Sequence, residues 1–294
     1  MPLTKITPEY MKEVSKGFKK VFTDALKSQS NDYLKVATEI NANSATVDYD
    51  FVSDLPSMRE WIGDRTLNEL KVQKYAISKK DWEASIKVHK DAIIYDNLGI
   101  VKPKIQSLAE SANEHYEKLV FSLLENTTNL CYDGKAFFAT DHPVGSATFS
   151  NLGSAALSAE ALMSAKAEMR RITKDNGEPL RIKPSLLVVP PELEAKALEI
   201  LAQTNANGGA NITYKMVDLL VCDWLTDAKS WYLFDTTHSL KPFILQINKR
   251  AEFTAMDSLT DEGAFMRKEF RYGIDTEDNV GLGFWQMAYK SKVA

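Results

Sequence analysis

The chain is poor in cysteine and contains no long apolar run, and each of these facts excludes a class of protein. Its 294 residues include two cysteines, Cys131 and Cys222, which form no C-x-x-C pair. We therefore expect buried free thiols rather than a zinc knuckle or a disulfide framework. No apolar run approaches the roughly 18 to 20 residues that span a bilayer. Because the first residues lack a signal-peptide pattern, we expect no membrane contact and no export.

The sequence also lacks the short motifs by which many enzymes are identified. It contains no G-x-S-x-G, H-E-x-x-H or P-loop motif. Gly281-Leu282-Gly283 begins like a dinucleotide fingerprint, but Gln286 replaces the third glycine, which favours simple backbone crowding within a strand. The neighbours Asp141 and His142 indicate a local hydrogen bond in a turn. We predict no catalytic residue, no cofactor and no metal site.

Charge is nearly balanced overall but unevenly placed along the chain. The net charge of −4, from 36 basic and 40 acidic residues, argues against a dedicated nucleic-acid-binding domain, which is usually basic. Residues 1–35 nevertheless contain seven lysines, and residues 251–279 contain eight acids. One interpretation is two solvated faces. The other is a pair of complementary surfaces that set the register between copies of the chain.

Apolar spacing predicts helices and strands that are interleaved without a regular βαβ order. Ser158 is a good N-cap and Pro103 suits a first helical turn. The predicted helices cover residues 11–26, 101–125, 158–176 and 191–201. The predicted strands cover residues 186–189, 231–234, 243–247, 264–272 and 282–289. This mixture predicts the α+β class.

Alternation of apolar and polar residues predicts an extended β-hairpin over residues 69–92. Trp82, Ala84, Ile86 and Val88 alternate with polar residues, and Ser78 to Asp81 suits the hairpin tip. Each arm of about 11 residues would span roughly 36 Å. A lone two-stranded ribbon is marginal in water. The hairpin therefore either packs on its own domain or reaches onto a neighbouring subunit.

Eight segments of the chain together resemble one known family. They are Arg59–Arg65, Asp96–Gly99, Leu119–Leu124, Cys131–Gly134, Phe137–Pro143, Ala255–Asp257, Phe265–Glu269 and Gly281–Tyr289. In this order and spacing they resemble the major head subunits of Mu-like phages and prophages, the family called gpT in phage Mu. The resemblance extends from about Thr46 to Lys292.

The resemblance implies a tailed-phage major capsid fold of the Hong Kong 97 type. That fold has an N-terminal arm, an extended β-hairpin loop, a long spine helix, and peripheral and axial domains. Laid onto this chain, it predicts five regions: an arm at 1–45, an extended-loop region at 46–98 with its hairpin at 69–92, a peripheral domain at 99–183 with the spine helix at 101–125, an axial domain at 184–245, and peripheral strands at 246–294.

The resemblance also implies a function without catalysis. Such subunits form hexamers and pentamers that close into an icosahedral shell around double-stranded DNA, assembled in the host cytoplasm and carried in the virion. The implied partners are other copies of the chain, a portal protein, packaged DNA bound without sequence reading and, in some cases, a decoration protein. Because the arm before residue 46 is short, we expect a separate scaffolding protein rather than an in-chain scaffold. Cross-linking between subunits is not predicted.

Within such a shell, the working residues would be interface residues. We expect Trp82, Ile86 and Val88 to cover a neighbouring subunit, and Lys79 and Lys80 to contact acidic groups at the hairpin tip. Four lysines of the N-terminal arm would lie at the inner surface, where phosphate attraction needs no sequence reading. They are Lys12, Lys16, Lys19 and Lys20.

Two alternatives remain open at this stage. A protein-filled nanocompartment would use the same fold with different contents. A soluble α+β enzyme with an unrecognised site would form a small closed oligomer and would contain a pocket with converging charged groups.

Overall fold

The computed structural model describes residues 7–28, 31–52, 72–95, 98–206 and 209–293, and all structural statements below concern these residues. The seven α-helices are α1 Pro8–Ser28, α2 Tyr33–Val36, α3 Lys90–Ile94, α4 Leu98–Glu125, α5 Ala159–Arg170, α6 Glu194–Leu201 and α7 Glu262–Arg267. Short 3₁₀ helices cover Pro191–Leu193 and Trp285–Met287. None of the described helices is long and apolar enough to cross a bilayer.

Fifteen strands accompany these helices in the described residues. They are β1 Ala37–Asn41, β2 Thr46–Val52, β3 Val72–Ser78, β4 Lys80–His89, β5 His142–Val144, β6 Ala147–Phe149, β7 Leu152–Gly153, β8 Leu186–Val189, β9 Asn205–Ala206, β10 Gly209–Ala210, β11 Asp218–Val221, β12 Trp231–Phe234, β13 Phe243–Met256, β14 Glu269–Leu282 and β15 Ala288–Ser291. The mixture confirms the predicted α+β class.

A four-stranded sheet in the order β1-β13-β14-β4 forms one part of the molecule. Its centre is the long antiparallel pair β13–β14, with β1 parallel to β13 and β4 antiparallel to β14. Helices α1 and α4 pack together against this sheet. Phe18 of α1 meets Tyr272 edge to face, with ring centroids 5.2 Å apart. Helix α1, which lies within the predicted N-terminal arm of residues 1–45, therefore packs on the body of the subunit.

A five-stranded sheet in the order β11-β8-β12-β15-β7 forms the second part. Helices α5 and α6 contribute Leu162, Met169 and Ala197 to the core on one of its faces. A further core joins its residues to α4 and to β13. The C-terminal strand β15 pairs with β12 and so lies in this sheet, whereas the domain boundary placed at residue 246 stays a prediction.

Several sequence predictions are confirmed closely. The long helix α4 starts three residues before the predicted 101, so Pro103 lies in its second turn. At 28 residues it is about 42 Å long. Ser158 caps α5 and accepts a hydrogen bond of 3.1 Å from the Ala161 amide. That helix ends at Arg170 rather than near residue 176, because residues 173–179 turn back through a bridge.

The predicted hairpin over residues 69–92 is wrong in its pairing, although β3 and β4 are both strands. β3 pairs with β2 in a separate ribbon, whereas β4 pairs with β14. Only Lys79 lies between β3 and β4, and the shortest common hairpin loop has two residues. The chain therefore passes from one sheet to another at Lys79 instead of reversing.

The predicted strand over residues 264–272 is wrong in its first half. Residues 262–267 form α7, and Lys268 ends this helix in the left-handed conformation at φ 54°. The predicted strand over 282–289 also breaks, because β14 ends at Leu282 and a 3₁₀ turn precedes β15. The first break forms the connection between the paired strands β13 and β14, and the second takes the chain from the four-stranded sheet to the five-stranded sheet.

Candidate assembly surfaces

Strand β4 lies at the edge of the four-stranded sheet and carries four of the five expected contact residues, with Lys80 at its first position. The half-buried Trp82 donates a 3.4 Å hydrogen bond from its indole nitrogen to the Asp278 carbonyl oxygen, and its ring lies 4.6 Å from that of His115. Ile86 is half-buried, and Val88 is 4% exposed, within the core formed with α1 and α4. Val88 is thus covered by its own chain, because β4 pairs with β14 instead of extending away.

The two lysines expected at a hairpin tip lie at the junction between β3 and β4. The Lys79 ammonium contacts the carboxylates of Asp81, at 3.0 Å, and Glu277. These hydrogen bonds raise the pKa of Lys79. Its acidic partners therefore belong to its own chain. The neighbouring Lys80 is exposed, and its contact with another subunit stays a prediction.

Helix α1 carries a basic outer face above an apolar inner one. Its buried residues Met11, Val14, Phe18 and Phe22 face the body. The four lysines predicted to lie near DNA are all exposed: Lys12, Lys16, Lys19 and Lys20. Three of them line a groove of about 510 Å³ between α1 and residues 253–260. The structure therefore gathers the basic residues into one accessible surface.

The β2–β3 ribbon was missed as a unit by sequence reasoning. Its seven residue pairs extend from Thr46 with Ser78 to Val52 with Val72. The Tyr49 hydroxyl donates a 3.0 Å hydrogen bond to the Gln246 side chain, and burial raises the pKa of Tyr49 to about 12. At the base of the ribbon the Lys79 amide donates a 2.7 Å hydrogen bond to the Ala45 carbonyl oxygen. The chain therefore enters β2 and leaves β3 at the same end of the ribbon.

A cluster of exposed apolar side chains lies where β13 connects to β14. Phe265 and Met266 of α7 are 81% and 68% exposed, and Met256 at the end of β13 is 52% exposed. Sequence reasoning missed this cluster because the segment was predicted as a strand. A usable signal was present in the run from Glu262 to Arg267, in which two large apolar residues adjoin charged ones without alternation.

The histidines and cysteines occupy structural positions. Each of the four histidines has an aspartate as its polar partner: His89 with Asp91, His115 with Asp278, His142 with Asp133 and His238 with Asp235. The expected partner of His142 was Asp141, whose carboxylate instead contacts Lys135. Both cysteines are buried free thiols, as predicted. The described residues contain no cluster of three or more potential metal ligands.

The chain is similar along its whole length to phage head proteins. The profile of the family described as Mu-like prophage major head subunit gpT matches residues 11–156, 150–225 and 226–294. The Mu-like prophage FluMu major head subunit of Haemophilus influenzae is 31% identical over 291 residues, which are 99% of this chain and 75% of that protein. The major capsid protein of Escherichia phage Mu is 26% identical over 288 residues, with coverage of 98% and 75%.

Solved structures show the same relationship. A chain from the procapsid of bacteriophage JBD30 is 33% identical, with a TM-score of 0.64 over 98% of this chain and 77% of that one. A virus-like particle from Pyrococcus furiosus matches with a TM-score of 0.56 over 95% of this chain and all of that one. At 9% identity, the latter shows the fold alone. The predicted capsid fold is confirmed, and the chain belongs to the family of Mu-like prophage major head subunits, gpT.

Proposed function

We propose that this chain is the repeating subunit of an icosahedral phage head, assembled from hexamers and pentamers around double-stranded DNA, and that it performs no catalysis. The observation that carries the proposal is the end-to-end similarity to a Mu-like major head subunit at 31% identity. A similarity confined to one domain would support only a shared module. Here it includes both sheets, the long helix α4 and the β2–β3 ribbon.

The surface chemistry supports self-association. Large exposed apolar residues occur at two separate places, at the β13–β14 connection and around Leu198, Ile212 and Tyr214 beside α6. Exposed apolar patches mark interaction sites in soluble proteins, and we propose that both places are such patches. A subunit that contacts several neighbours needs more than one such place.

The remaining partners follow from the proposed shell. The exposed lysines of α1 give the chain a surface that attracts phosphate without reading sequence, which suits packaged DNA. Lys12 and Lys20 are examples, and neither has a carboxylate partner among the described ion pairs. A separate scaffolding protein, a portal protein and an optional decoration protein would act during assembly in the host cytoplasm or on the finished virion.

The test is assembly of the purified chain, alone and with a candidate scaffolding protein encoded beside it. Sizing chromatography and negative-stain electron microscopy should show capsomer rings, tubes or closed shells. Nuclease-protected DNA in particles isolated from infected cells would support the head function. Protected protein cargo in place of DNA would favour the nanocompartment. A monodisperse monomer or dimer that persists with scaffold present would contradict the proposal.

Salt provides an internal control for the assembly test. If contacts between the basic α1 surface and acidic surfaces guide association, assembly should slow as ionic strength rises, because exposed charges are screened beyond about 8 Å at 0.15 M salt. Contacts between apolar patches should be affected far less. A rate that does not change between 0.05 M and 0.5 M salt would exclude charge pairing as the guide.

A further inference from the structure

Helix α7 presents one exposed face that its own chain leaves uncovered. At 3.6 residues per turn, Glu262, Phe265 and Met266 lie within an arc of about 100°. All three are exposed, while Gly263 and Ala264 on the opposite side are buried against the sheet. The Phe265 ring is therefore held out on a rigid turn, with a carboxylate beside it. Such an aromatic residue has the character of an anchor that fills a pocket in a partner.

The same chain contains a shallow depression with room for an incoming side chain such as Phe265. It has a volume of about 320 Å³ and lies over β4, β13 and β14. Gly273 forms part of its lining, together with Ser85, Thr254 and the exposed Met256. A Cβ atom at Gly273 would lie 3.0 Å from the Ser85 hydroxyl, so a larger residue there would make the depression shallower. Glycine thus leaves room for a side chain arriving from outside.

The charges around the two surfaces are complementary. Lys87 and Arg271 line the depression, and its lining residues include no acid, although Lys87 also lies 3.3 Å from Glu269 of its own chain. The α7 face brings Glu262 next to Phe265. Like charges across a contact disfavour it, whereas opposite charges set its register. The depression therefore favours an incoming apolar residue that is accompanied by a carboxylate.

We infer that Phe265 of one subunit inserts into the Gly273 depression of a second copy, with Glu262 facing Lys87. The inference deepens the proposed function and rests on it, because a shell subunit supplies many copies at high local concentration. Met256 borders both surfaces, but Phe265 is not among the residues that line the depression, so the contact is heterologous. Such contacts close into rings when the rotation between copies permits.

The primary test is disulfide trapping between single-cysteine variants. Met266→Cys and Ser85→Cys are prepared separately, mixed in equal amounts, assembled and treated with an added oxidant. Met266 adjoins Phe265 on the exposed face of α7, so the Phe265 anchor itself is kept. Both native cysteines are buried, so wild-type shells serve as the background. A dimer on a non-reducing gel should form from the mixture, with each variant alone remaining monomeric. Using two separate variants prevents any bond within one chain.

The alternative results are distinct. Strong dimer formation by Met266→Cys alone would show that α7 meets α7, which overturns the inference. Normal wild-type shells with no cross-link in the mixture would overturn the inference while leaving the proposed function intact. If the wild-type chain forms no shells even with scaffold present, both the inference and the proposed function are contradicted.

A charge exchange gives an independent measurement. Glu262→Lys should raise the subunit concentration needed for assembly by about tenfold, as expected for a weakened contact worth about 1.4 kcal/mol. Lys87→Glu should act similarly, and the double variant should recover most of the loss. Both side chains are exposed, but Lys87→Glu also replaces the 3.3 Å contact between Lys87 and Glu269 of the same chain with two like charges. Urea unfolding of each single variant therefore separates a loss of folding stability from a loss of assembly. Additive defects in the double variant would overturn the proposed pairing.

Discussion

The Lys290 ammonium donates a hydrogen bond of 3.0 Å to the carbonyl oxygen of Leu124, in the last turn of α4. The last four carbonyls of a helix lack partners within the helix, so this contact satisfies one of them. Lys290 is only 6% exposed, and its charge lies 5.2 Å from the centre of the Tyr232 ring. Because Lys290 belongs to β15, the contact joins the long helix to the five-stranded sheet. Burial lowers the pKa of this lysine.

Replacing Lys290 with Met should test this junction. Met retains much of the side-chain length but leaves the Leu124 carbonyl oxygen unpaired, which costs about 1–3 kcal/mol. Urea unfolding should show this loss. Lys292→Met is the matched control, because Lys292 is exposed on the same strand end and its replacement should cost less than about 0.5 kcal/mol. Equal effects of the two variants would show that the contact contributes nothing specific.

A second prediction concerns the buried pair of His142 and Asp133. The imidazole Nδ1 lies 2.6 Å from the Asp133 carboxylate, and the ring stacks on Trp285 with centroids 4.0 Å apart. His142→Phe keeps the stacking but leaves the carboxylate with only the Lys135 amide as a partner. We expect a loss of about 3 kcal/mol, typical of a broken buried pair.

The control for the His142 variant is Asp133→Asn. The amide keeps a hydrogen-bonding group opposite the imidazole and introduces no unpaired charge, so it should cost clearly less than His142→Phe. Tryptophan fluorescence during urea unfolding reports on both, because Trp285 lies in the stack. A larger loss for Asp133→Asn would contradict the assignment of the penalty to the stranded carboxylate.

The helices could be predicted because their pattern is local, whereas the strand partners could not. The three- and four-residue spacing of Met11, Val14 and Phe18 needs no knowledge of what covers it. The alternation in β4 also predicted a strand, but alternation does not identify which strand lies beside it. β14, the partner of β4, lies some 190 positions later in the chain. Pairing at such a separation is set by tertiary packing.

Side-chain partners were predictable only where geometry is local. The hydrogen bond at the Ser158 cap could be predicted, because an N-cap side chain accepts from the amide three residues further along. The partner of His142 could not be predicted. Asp133 contacts the imidazole only because the chain reverses at the Asp-Gly turn, where Gly134 has a φ of +77°. The exposed position of Phe265 also depends on burial of the other side of α7, which the sequence alone does not specify.

A third prediction concerns pH. Burial raises the pKa of Asp257 above its usual value of 3.8, so the folded state binds a proton more tightly than the unfolded state does. The stabilisation from this proton is complete at acidic pH and is lost as pH rises through the raised pKa. Asp257→Asn should remove this loss, giving a variant that is more stable than wild type at neutral pH. The unfolding temperatures of the wild type and the variant, measured between pH 4 and pH 7, show this difference in stability. A parallel pH dependence for both proteins would contradict the assignment.

Glycine positions give a fourth prediction. A Cβ atom at Gly281 would lie 2.3 Å from the Ile77 Cδ1 atom, so β3 sits too close for any side chain there. Gly281→Ala should therefore cost about 1–3 kcal/mol through overpacking. Gly17→Ala is the matched control, because nothing lies within 4 Å of the added atom on the exposed side of α1. It should stabilise the protein by about 0.5–1 kcal/mol. The same sign for both variants would contradict the crowding explanation.

The last prediction separates folding from assembly by shortening the β2–β3 ribbon. Residues 73–89 are unsuitable for deletion, because they include most of β4 and would remove an edge of the four-stranded sheet. Tyr49 and Tyr75 lie directly opposite each other in the ribbon, so replacing residues 50–74 with an Asn-Gly turn keeps the pairs from Thr46 with Ser78 to Tyr49 with Tyr75.

The shortened protein should keep its fold, because the retained Tyr49, Tyr75 and Ile77 still pack against Ile244. Its unfolding midpoint in urea should lie close to that of the wild type. The removed part lies within the extended-loop region predicted at 46–98, and shell formation should fail if it reaches a neighbouring subunit. Replacing the same residues with a flexible Gly-Ser segment of equal length controls for chain length, and it too should fail. Normal shells from either variant would show that the ribbon is dispensable for assembly.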